Sequence, residues 1–161
     1  MGRDKANLEY QGQSFLDRAQ SLLLTVGCSP VLISGRPDLP GGIQDHLPGQ
    51  GPALSMLDAL TAVSPECKGV LFIPVDMPLL QSVDLLPLIS GQSGKGCAWI
   101  NHPLPTFIPT QMGMPSRSDV RSVKYLLACL EIDWLDLPAD RDVHFGNVNS
   151  PEDLTGLSHL G

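Results

Sequence analysis

The sequence predicts an α/β fold in which helices cover a largely parallel sheet. Segments with strand character alternate along the chain with amphipathic helical segments, as successive βαβ units require. The clearest strand, residues 69–74, is apolar throughout after its first glycine, which is typical of a parallel strand buried on both faces. Ligands of such sheets bind beyond the carboxyl ends of the strands, so we expect a site at the loops that follow Ser34 and Pro74.

The chain before that strand is predicted to contain two helices, one strand and a long loop. A helix over 14–26 begins with a serine followed three residues later by an aspartate, which resembles a capping box, and its apolar residues fall on one face. Residues 31–34 follow as a short buried strand. The Gly- and Pro-rich loop 35–51 is long for a compact domain and is therefore a candidate binding loop. Residues 53–63 form a second helix, preceded by a proline that the first turn tolerates.

The chain after that strand continues the alternation. The pattern predicts a short helix at 84–90, strands at 97–100 and 106–108, a helix over about 120–131, a strand at 134–137 and a helix that begins at Ser150. Ser150 has an N-cap residue type and is followed by a proline and two acids, which together mark a helix start. With 161 residues and no repeat, the chain is predicted to form one domain spanning 1–161.

Composition excludes several classes of function. Hydrophobic residues make up 42% and charged residues 17%, which is typical of a globular protein. The net charge of −7 argues against a nucleic-acid surface. The sequence has no C-x-x-C pair, no metal-ligand spacing of histidines and no G-x-S-x-G motif, so zinc, redox and triad hydrolase chemistry lack support. No apolar run could span a bilayer and no secretion signal opens the chain, so we expect a cytoplasmic protein without membrane contact.

Asp76 is the sharpest single candidate for chemistry. It lies in the sequence Pro-Val-Asp-Met-Pro at 74–78, directly after the central strand, where flanking prolines stiffen the loop. Mg²⁺ typically takes one or two protein carboxylates together with substrate phosphates, so one well-placed aspartate suffices. An aspartate that caps the next turn is the alternative.

Basic and acidic residues near the N-terminus and in the long loop are further candidates. Lys5, with Arg3 beside it, could contact phosphate, although a terminal lysine is more often solvated. Arg36 has the same ambiguity. Asp38 or Asp45 could accept the N1 and N2 protons of a guanine, although each also suits a turn.

Two asparagines precede the predicted helix at Ser150. The amides of Asn147 and Asn149 could bind a ligand or close the turn that leads into the helix. The residue types alone leave both interpretations open.

Four segments, taken in order, resemble the molybdenum cofactor guanylyltransferase family of Rossmann-like nucleotidyltransferases. Residues 1–5, Met-Gly-Arg-Asp-Lys, resemble the end of the family's glycine-rich signature. Asp45 followed by Gly-Pro-Ala-Leu-Ser at 51–55 resembles its Asp and Gly-Pro-Leu-Ala-Gly segment. Residues 74–78 are similar to its Pro-Cys-Asp-Met-Pro, and 145–154 to its Phe-x-Asn-x-Asn-Thr-Pro-Glu-Asp-Leu ending.

The resemblance implies a three-layer Rossmann-like sandwich that transfers GMP from GTP to molybdopterin and releases pyrophosphate. Lys5 would contact the GTP phosphates, Asp45 would bind the guanine nucleotide, and Asp76 would hold Mg²⁺ and the triphosphate. A further guanine contact would fall near Ile33 or Ser34, and Ser34 is the choice that matches the family's residue types.

On the acceptor side, the resemblance implies that Asn147 and Asn149 lie at the rim where the pterin substrate approaches. It also implies transient contact with proteins that deliver the cofactor or receive the product. Two alternatives remain open: a non-catalytic relative that binds pterin or nucleotide without a phosphate loop, and a cytidylyltransferase that uses CTP.

The sequence departs from the family at two places. Ser55 replaces a glycine, so a side chain narrows the space beside the backbone. The family's first strand and its Leu-Ala-Gly-Gly turn are not seen ahead of residues 1–5. We therefore expect that the domain is N-terminally incomplete, with roughly 10–20 upstream residues that form an apolar strand and a Gly-Gly turn.

Overall fold

The computed structural model describes residues 6, 8–47, 49–64, 66–91, 94–149 and 153. In chain order, its elements are β1 (Glu9–Tyr10), β2 (Gln13–Ser14), α1 (Phe15–Thr25), β3 (Ile33–Ser34), β4 (Gly42–Ile43), α2 (Pro52–Ala62), β5 (Gly69–Phe72), α3 (Ser82–Ile89), β6 (Cys97–Trp99), β7 (His102–Pro109), α4 (Val123–Cys129), β8 (Asp133–Leu135) and a 3₁₀ helix (Ala139–Phe145). Within these ranges, no helix is long and apolar enough to cross a membrane.

The main sheet has four strands in the order β5-β7-β6-β8. Strand β7 pairs antiparallel with both β5 and β6, whereas β8 pairs parallel with β6. Three strands therefore run in one direction and β7 runs against them, so the described sheet is mixed. The predicted mostly parallel pairing is not confirmed. Strands β6 and β7 are joined by a tight turn in which Asn101 has a φ of 68°, and so short a connection can join only antiparallel strands.

Apolar residues of the sheet alternate between two hydrophobic clusters, one on each face. Val70 and Phe72 of β5 pack on a cluster formed mainly with α2 and α4, while Leu71 and Ile73 pack on one formed with α1, α3 and Phe145. The strand beginning at Gly69 therefore packs on both faces as predicted, but its residues are only partly buried and it pairs antiparallel with β7 rather than parallel. The described residues therefore form a mixed α/β fold with helices against both faces of the sheet.

Local signals in the sequence placed most helices correctly. The Asp17 amide donates to Ser14 Oγ at 3.1 Å, and the Ser14 hydroxyl donates to Asp17 Oδ2 at 2.7 Å, so the predicted N-cap of α1 is confirmed. Pro52 occupies the first turn of α2 as expected. The sequence pattern did not predict the hairpin β1–β2 or the strand β4, each only two residues long per strand. The helix start predicted at Ser150 lies outside the described residues.

A groove of about 1300 Å³ separates β5 from the small parallel sheet formed by β3 and β4. Residues of α1, α2, β3 and β5 line it, and they are largely apolar. Among the strands that the structure describes, only β7 pairs with β5, so the edge of β5 that faces the groove has no strand partner. The groove thus lies between β3 and the open edge of β5, and residues of α1 and α2 contribute to its lining.

Candidate functional site

The end of β3 carries the first part of the candidate site. Ser34 pairs with Ile43 in the parallel ladder, and the Gly35 amide extends the ladder by donating to the Ile43 carbonyl at 2.9 Å. This pairing brings the middle of the long loop beside the end of β3, and the Ser34 hydroxyl donates to Asp45 Oδ1 at 2.9 Å. The structure therefore joins two of the residues that the resemblance assigned to guanine binding.

Gly35 is required where Asp45 approaches β3. Its φ of +73° lies in the left-handed region that favours glycine, and a Cβ at this position would stand 3.3 Å from Asp45 Oδ2. The absence of a side chain at Gly35 lets the carboxylate lie against the backbone. One oxygen of Asp45 is thus engaged by Ser34 and the other lies over Gly35.

The structure separates the two acids that the sequence left as alternatives. Asp38 accepts two hydrogen bonds from the Arg36 guanidinium, each at 3.1 Å, and this pairing lowers the pKa of Asp38. Arg36 and Asp38 form an ion pair within the loop, whereas Asp45 bonds across to β3. Asp45 is therefore the loop carboxylate positioned by the strand ends.

Asp58, in α2, holds the loop that carries Asp45 and was not singled out from the sequence. Its Oδ2 accepts hydrogen bonds from the His46 amide at 2.9 Å and from Gln50 Nε2 at 2.6 Å, and its Oδ1 accepts one from Arg117. Burial by itself raises the pKa of Asp58, but the bonds from Arg117, His46 and Gln50 outweigh it and lower the pKa to about 2. The only signal in the sequence was a carboxylate within an otherwise apolar stretch of helix.

The end of β5 carries the second part of the candidate site. Asp76 is half-buried, and its backbone carbonyl accepts a hydrogen bond from the Val148 amide at 2.8 Å. Val148 is 1% exposed and lies between Asn147 and Asn149, whose side chains are exposed. The structure therefore brings the Asp76 loop and the segment with the two asparagines together.

A buried carboxylate anchors the segment that leads to these asparagines. Asp84 is fully buried, and its Oδ2 accepts hydrogen bonds from the Gln81 amide and from His144 Nδ1, both at 2.9 Å. His144 belongs to the 3₁₀ helix that ends just before Gly146. Sequence reasoning missed this contact because the two residues are 60 positions apart.

Residues next to both parts of the candidate site line the same groove. Ser34 and Ile43 line it from the β3–β4 side, and Ile73 and Val75 line it from the β5 side. Lys5 lies outside the described residues. In the described part of the chain, no three His, Cys, Asp or Glu side chains cluster as a metal site.

The arrangement provides two kinds of chemistry. At the β3 end, the Asp45 carboxylate has one oxygen held by the Ser34 hydroxyl, and it can accept hydrogen bonds from two adjacent N–H donors in one plane. At the β5 end, a carboxylate in a loop braced by a backbone bond offers an oxygen ligand of the kind that hard divalent cations prefer. Amide side chains beside it supply donors and acceptors for a second ligand.

Comparison with known proteins supports the resemblance drawn from the motifs. The family described as MobA-like NTP transferase domain matches residues 1–122. The molybdenum cofactor guanylyltransferase of Xanthomonas euvesicatoria pv. vesicatoria (strain 85-10) is 29% identical over 167 residues, covering 99% of this chain and 88% of that protein. The probable molybdenum cofactor guanylyltransferase of Opitutus terrae (strain DSM 11246 / JCM 15787 / PB90-1) is 27% identical over 174 residues, covering 95% of this chain and 86% of that protein.

Proposed function

The chain belongs to the family of MobA-like NTP transferase domains, and we propose that it transfers GMP from GTP to molybdopterin. The products are the guanine dinucleotide form of the cofactor and pyrophosphate. The names of the two relatives, similar over nearly the whole chain, support this reaction. The proposal that the base is guanine rests on one structural observation, the hydrogen bond between Ser34 and Asp45 at the end of β3.

Asp45 accounts for base recognition in this proposal. Guanine presents adjacent N1–H and N2–H donors, and a carboxylate accepts such a pair with both oxygens or with one. The Ser34 hydroxyl fixes the rotation of the Asp45 carboxylate, so the acceptor is oriented before the base arrives. A base that lacks these donors would bury the Asp45 carboxylate without giving it hydrogen bonds. The affinity for such a base is therefore lower.

Asp76 is the residue that we propose for Mg²⁺. Its carboxylate follows the carboxyl end of β5, and its backbone is braced by Val148, which suits a cation shared with a triphosphate. Bound Mg²⁺ would offset the negative charge that builds up on the phosphates during transfer. Lys5 would add a positive charge on the same phosphates.

The transfer itself requires little covalent chemistry from the protein. A phosphate oxygen of molybdopterin forms a bond to the α-phosphorus of GTP, and the bond from that phosphorus to the bridging oxygen breaks. Pyrophosphate leaves with the electron pair. Asn147 and Asn149 would orient the pterin substrate, and alignment of the two reactants supplies most of the rate.

We further propose that the complete domain is the three-layer, mostly parallel Rossmann-like sandwich of nucleotidyltransferases, and that it acts in the cytoplasm. A strand in the groove between β3 and β5 would join the β3–β4 sheet to the four-stranded sheet. Contact with proteins that deliver the cofactor or receive the product is part of the same proposal.

Thermal unfolding with nucleotides tests the proposal. With Mg²⁺ present, GTP is expected to raise the melting temperature more than CTP or ATP, because a ligand that binds only the folded state stabilises it by about 2.7 kcal/mol at a hundredfold excess over Kd. Formation of the guanine dinucleotide from GTP and molybdopterin, followed by mass spectrometry, is the matching activity assay. An equal shift with CTP would favour a cytidylyltransferase, and no shift with any nucleotide would favour a non-catalytic relative.

A further inference from the structure

We infer that Arg117 and Asp58 form a latch that holds the loop residues 44–47 and 49–50, so that Asp45 can discriminate guanine from other purines. The inference rests on the proposed function, because it assigns Asp58 and Arg117 as positioning residues for the guanine site. It adds a specificity device that lies outside the base-binding residues themselves.

Asp45 lies between two fixed points. On one side, the Ser34 hydroxyl holds its carboxylate at 2.9 Å. On the other side, the amide of the next residue, His46, donates to Asp58 Oδ2 at 2.9 Å. The backbone at Asp45 is therefore tied to α2, and the direction of its side chain depends on that tie as well as on Ser34.

Gln50 closes the far end of the same loop. Its Nε2 donates to Asp58 Oδ2 at 2.6 Å, and its Oε1 accepts a hydrogen bond from the Leu47 amide at 3.1 Å. The loop is thus bonded to one carboxylate at both ends. Without Asp58, the His46 amide and the Gln50 side chain both lose their shared partner.

Arg117, from a distant part of the chain, holds Asp58 and Gln50 in place. Its guanidinium donates to Asp58 Oδ1 and to Gln50 Oε1, with a longer contact of 3.5 Å to Asp58 Oδ2. The side chain of Arg117 is 33% exposed and that of Asp58 is 19% exposed. A forked, partly buried pair of this kind constrains geometry far more than an exposed ion pair does.

The consequence is a specific effect on base choice. If Asp45 accepts both N1–H and N2–H of guanine, its carboxylate must stay aligned with two donors at once. A loop released from α2 keeps the carboxylate but loses that alignment. Affinity for GTP should then fall more than affinity for inosine triphosphate, which lacks the 2-amino group.

The test compares Asp58→Ala, Arg117→Ala and the double variant with Arg121→Ala, an exposed arginine on the same segment. Amide hydrogen exchange at His46 and Leu47 reports on the latch without any nucleotide. Binding of GTP and of inosine triphosphate, each with Mg²⁺, reports on selectivity. We expect faster exchange and a rise in the Kd for GTP of about tenfold, with a smaller rise for inosine triphosphate. Arg121→Ala should match the wild type in both readouts.

The double variant and a conservative variant complete the design. Loss of selectivity in the double variant should be no greater than in either single variant, because both residues act through one contact. Arg117→Lys keeps the charge without the fork and should give an intermediate loss. It also serves as the readout if the alanine variants fail to fold.

The outcomes separate the latch from the proposed function. Unchanged exchange at His46 in Asp58→Ala, or faster exchange with an unchanged preference for GTP over inosine triphosphate, would overturn the inference. A wild-type protein that binds neither nucleotide would overturn the proposed function and the guanine part of the inference. The exchange data would still decide whether the latch exists.

Discussion

The backbone carbonyl of Asp76 and the backbone amide of Val148 are joined by a hydrogen bond of 2.8 Å. This bond ties the loop after β5 to the segment that carries Asn147 and Asn149. Because it involves only main-chain atoms, it survives substitution of the Asp76 side chain. The geometry of the loop and the chemistry of its carboxylate can therefore be tested separately.

Asp76→Ala is expected to lower transfer by at least about a hundredfold, as loss of a group that stabilises charge in the transition state does elsewhere. The melting temperature without ligand should stay close to that of the wild type, since the bond to Val148 remains. Rates are measured as pyrophosphate release at saturating GTP. Asp136→Ala, at an exposed position, is the matched control. Near-wild-type turnover of the Asp76 variant would remove Asp76 from the proposed metal role.

Gly35→Ala is expected to weaken GTP binding, because the new Cβ would stand 3.3 Å from Asp45 Oδ2 and displace the carboxylate. Gly27→Ala is the matched control: its φ of +87° is also positive, but a Cβ added there would have nothing within 4 Å. Both variants should lose roughly 1–2 kcal/mol of stability from the left-handed backbone. Only Gly35→Ala should also lose affinity for GTP in a titration; an equal loss in both would contradict the role of the Asp45 contact.

The latch should make stability depend on pH in the acid range. The pKa of Asp58 falls from its ordinary 3.8 to about 2 in the folded protein, so the unfolded state binds the proton more tightly. The contribution of Asp58 is therefore fully present above about pH 4 and is lost as the pH falls towards 2. At about 1.4 kcal/mol per pKa unit, its upper limit is about 2.5 kcal/mol, reduced by solvent at this partly exposed side chain.

Urea unfolding of the wild type and of Asp58→Asn between pH 5 and pH 2 measures this contribution. The free energy of unfolding of the wild type should fall more steeply with acid than that of the variant. Arg117→Ala, which removes the main hydrogen-bond partner, should also flatten the curve. Identical slopes in all three proteins would show that the folded-state pKa of Asp58 is not lowered.

The groove between β3 and β5 leads us to expect a further strand in the native protein. A strand there would pair with the open edge of β5 and bury the apolar lining contributed by α1 and α2. Hydrogen exchange at the amide of Leu71, which points away from β7, should be slowed when roughly 10–20 natural upstream residues are added, the length of a strand and a turn. The melting temperature should rise as well. An extended protein that leaves this amide and the melting temperature unchanged would contradict the expectation.

Much of the fold could be read from local pattern. The capping residues of α1, the first-turn proline of α2 and the apolar strand β5 are each specified by neighbours within a few positions, and the structure bears them out. The mixed sheet could not be read in this way. The orientation of β7 depends on the tight turn at Asn101 and on which strands lie beside it, and neither is fixed by alternation of apolar residues.

The same distinction applies to the candidate site: some of its residues could be predicted from the sequence, and others depend on the tertiary structure. Asp76 could be singled out by its place directly after the apolar strand, whereas Ser34 and Asp45 were chosen by the resemblance to a known family. Only the tertiary structure shows which acid of the long loop contacts β3. Asp38 forms an ion pair with Arg36 within the loop, whereas Asp45 accepts a hydrogen bond from Ser34 of β3. The latch formed by Asp58 and Arg117 could be found only from the tertiary structure. Its partners are 59 positions apart, and only the tertiary fold brings α2 and the turn before α4 together.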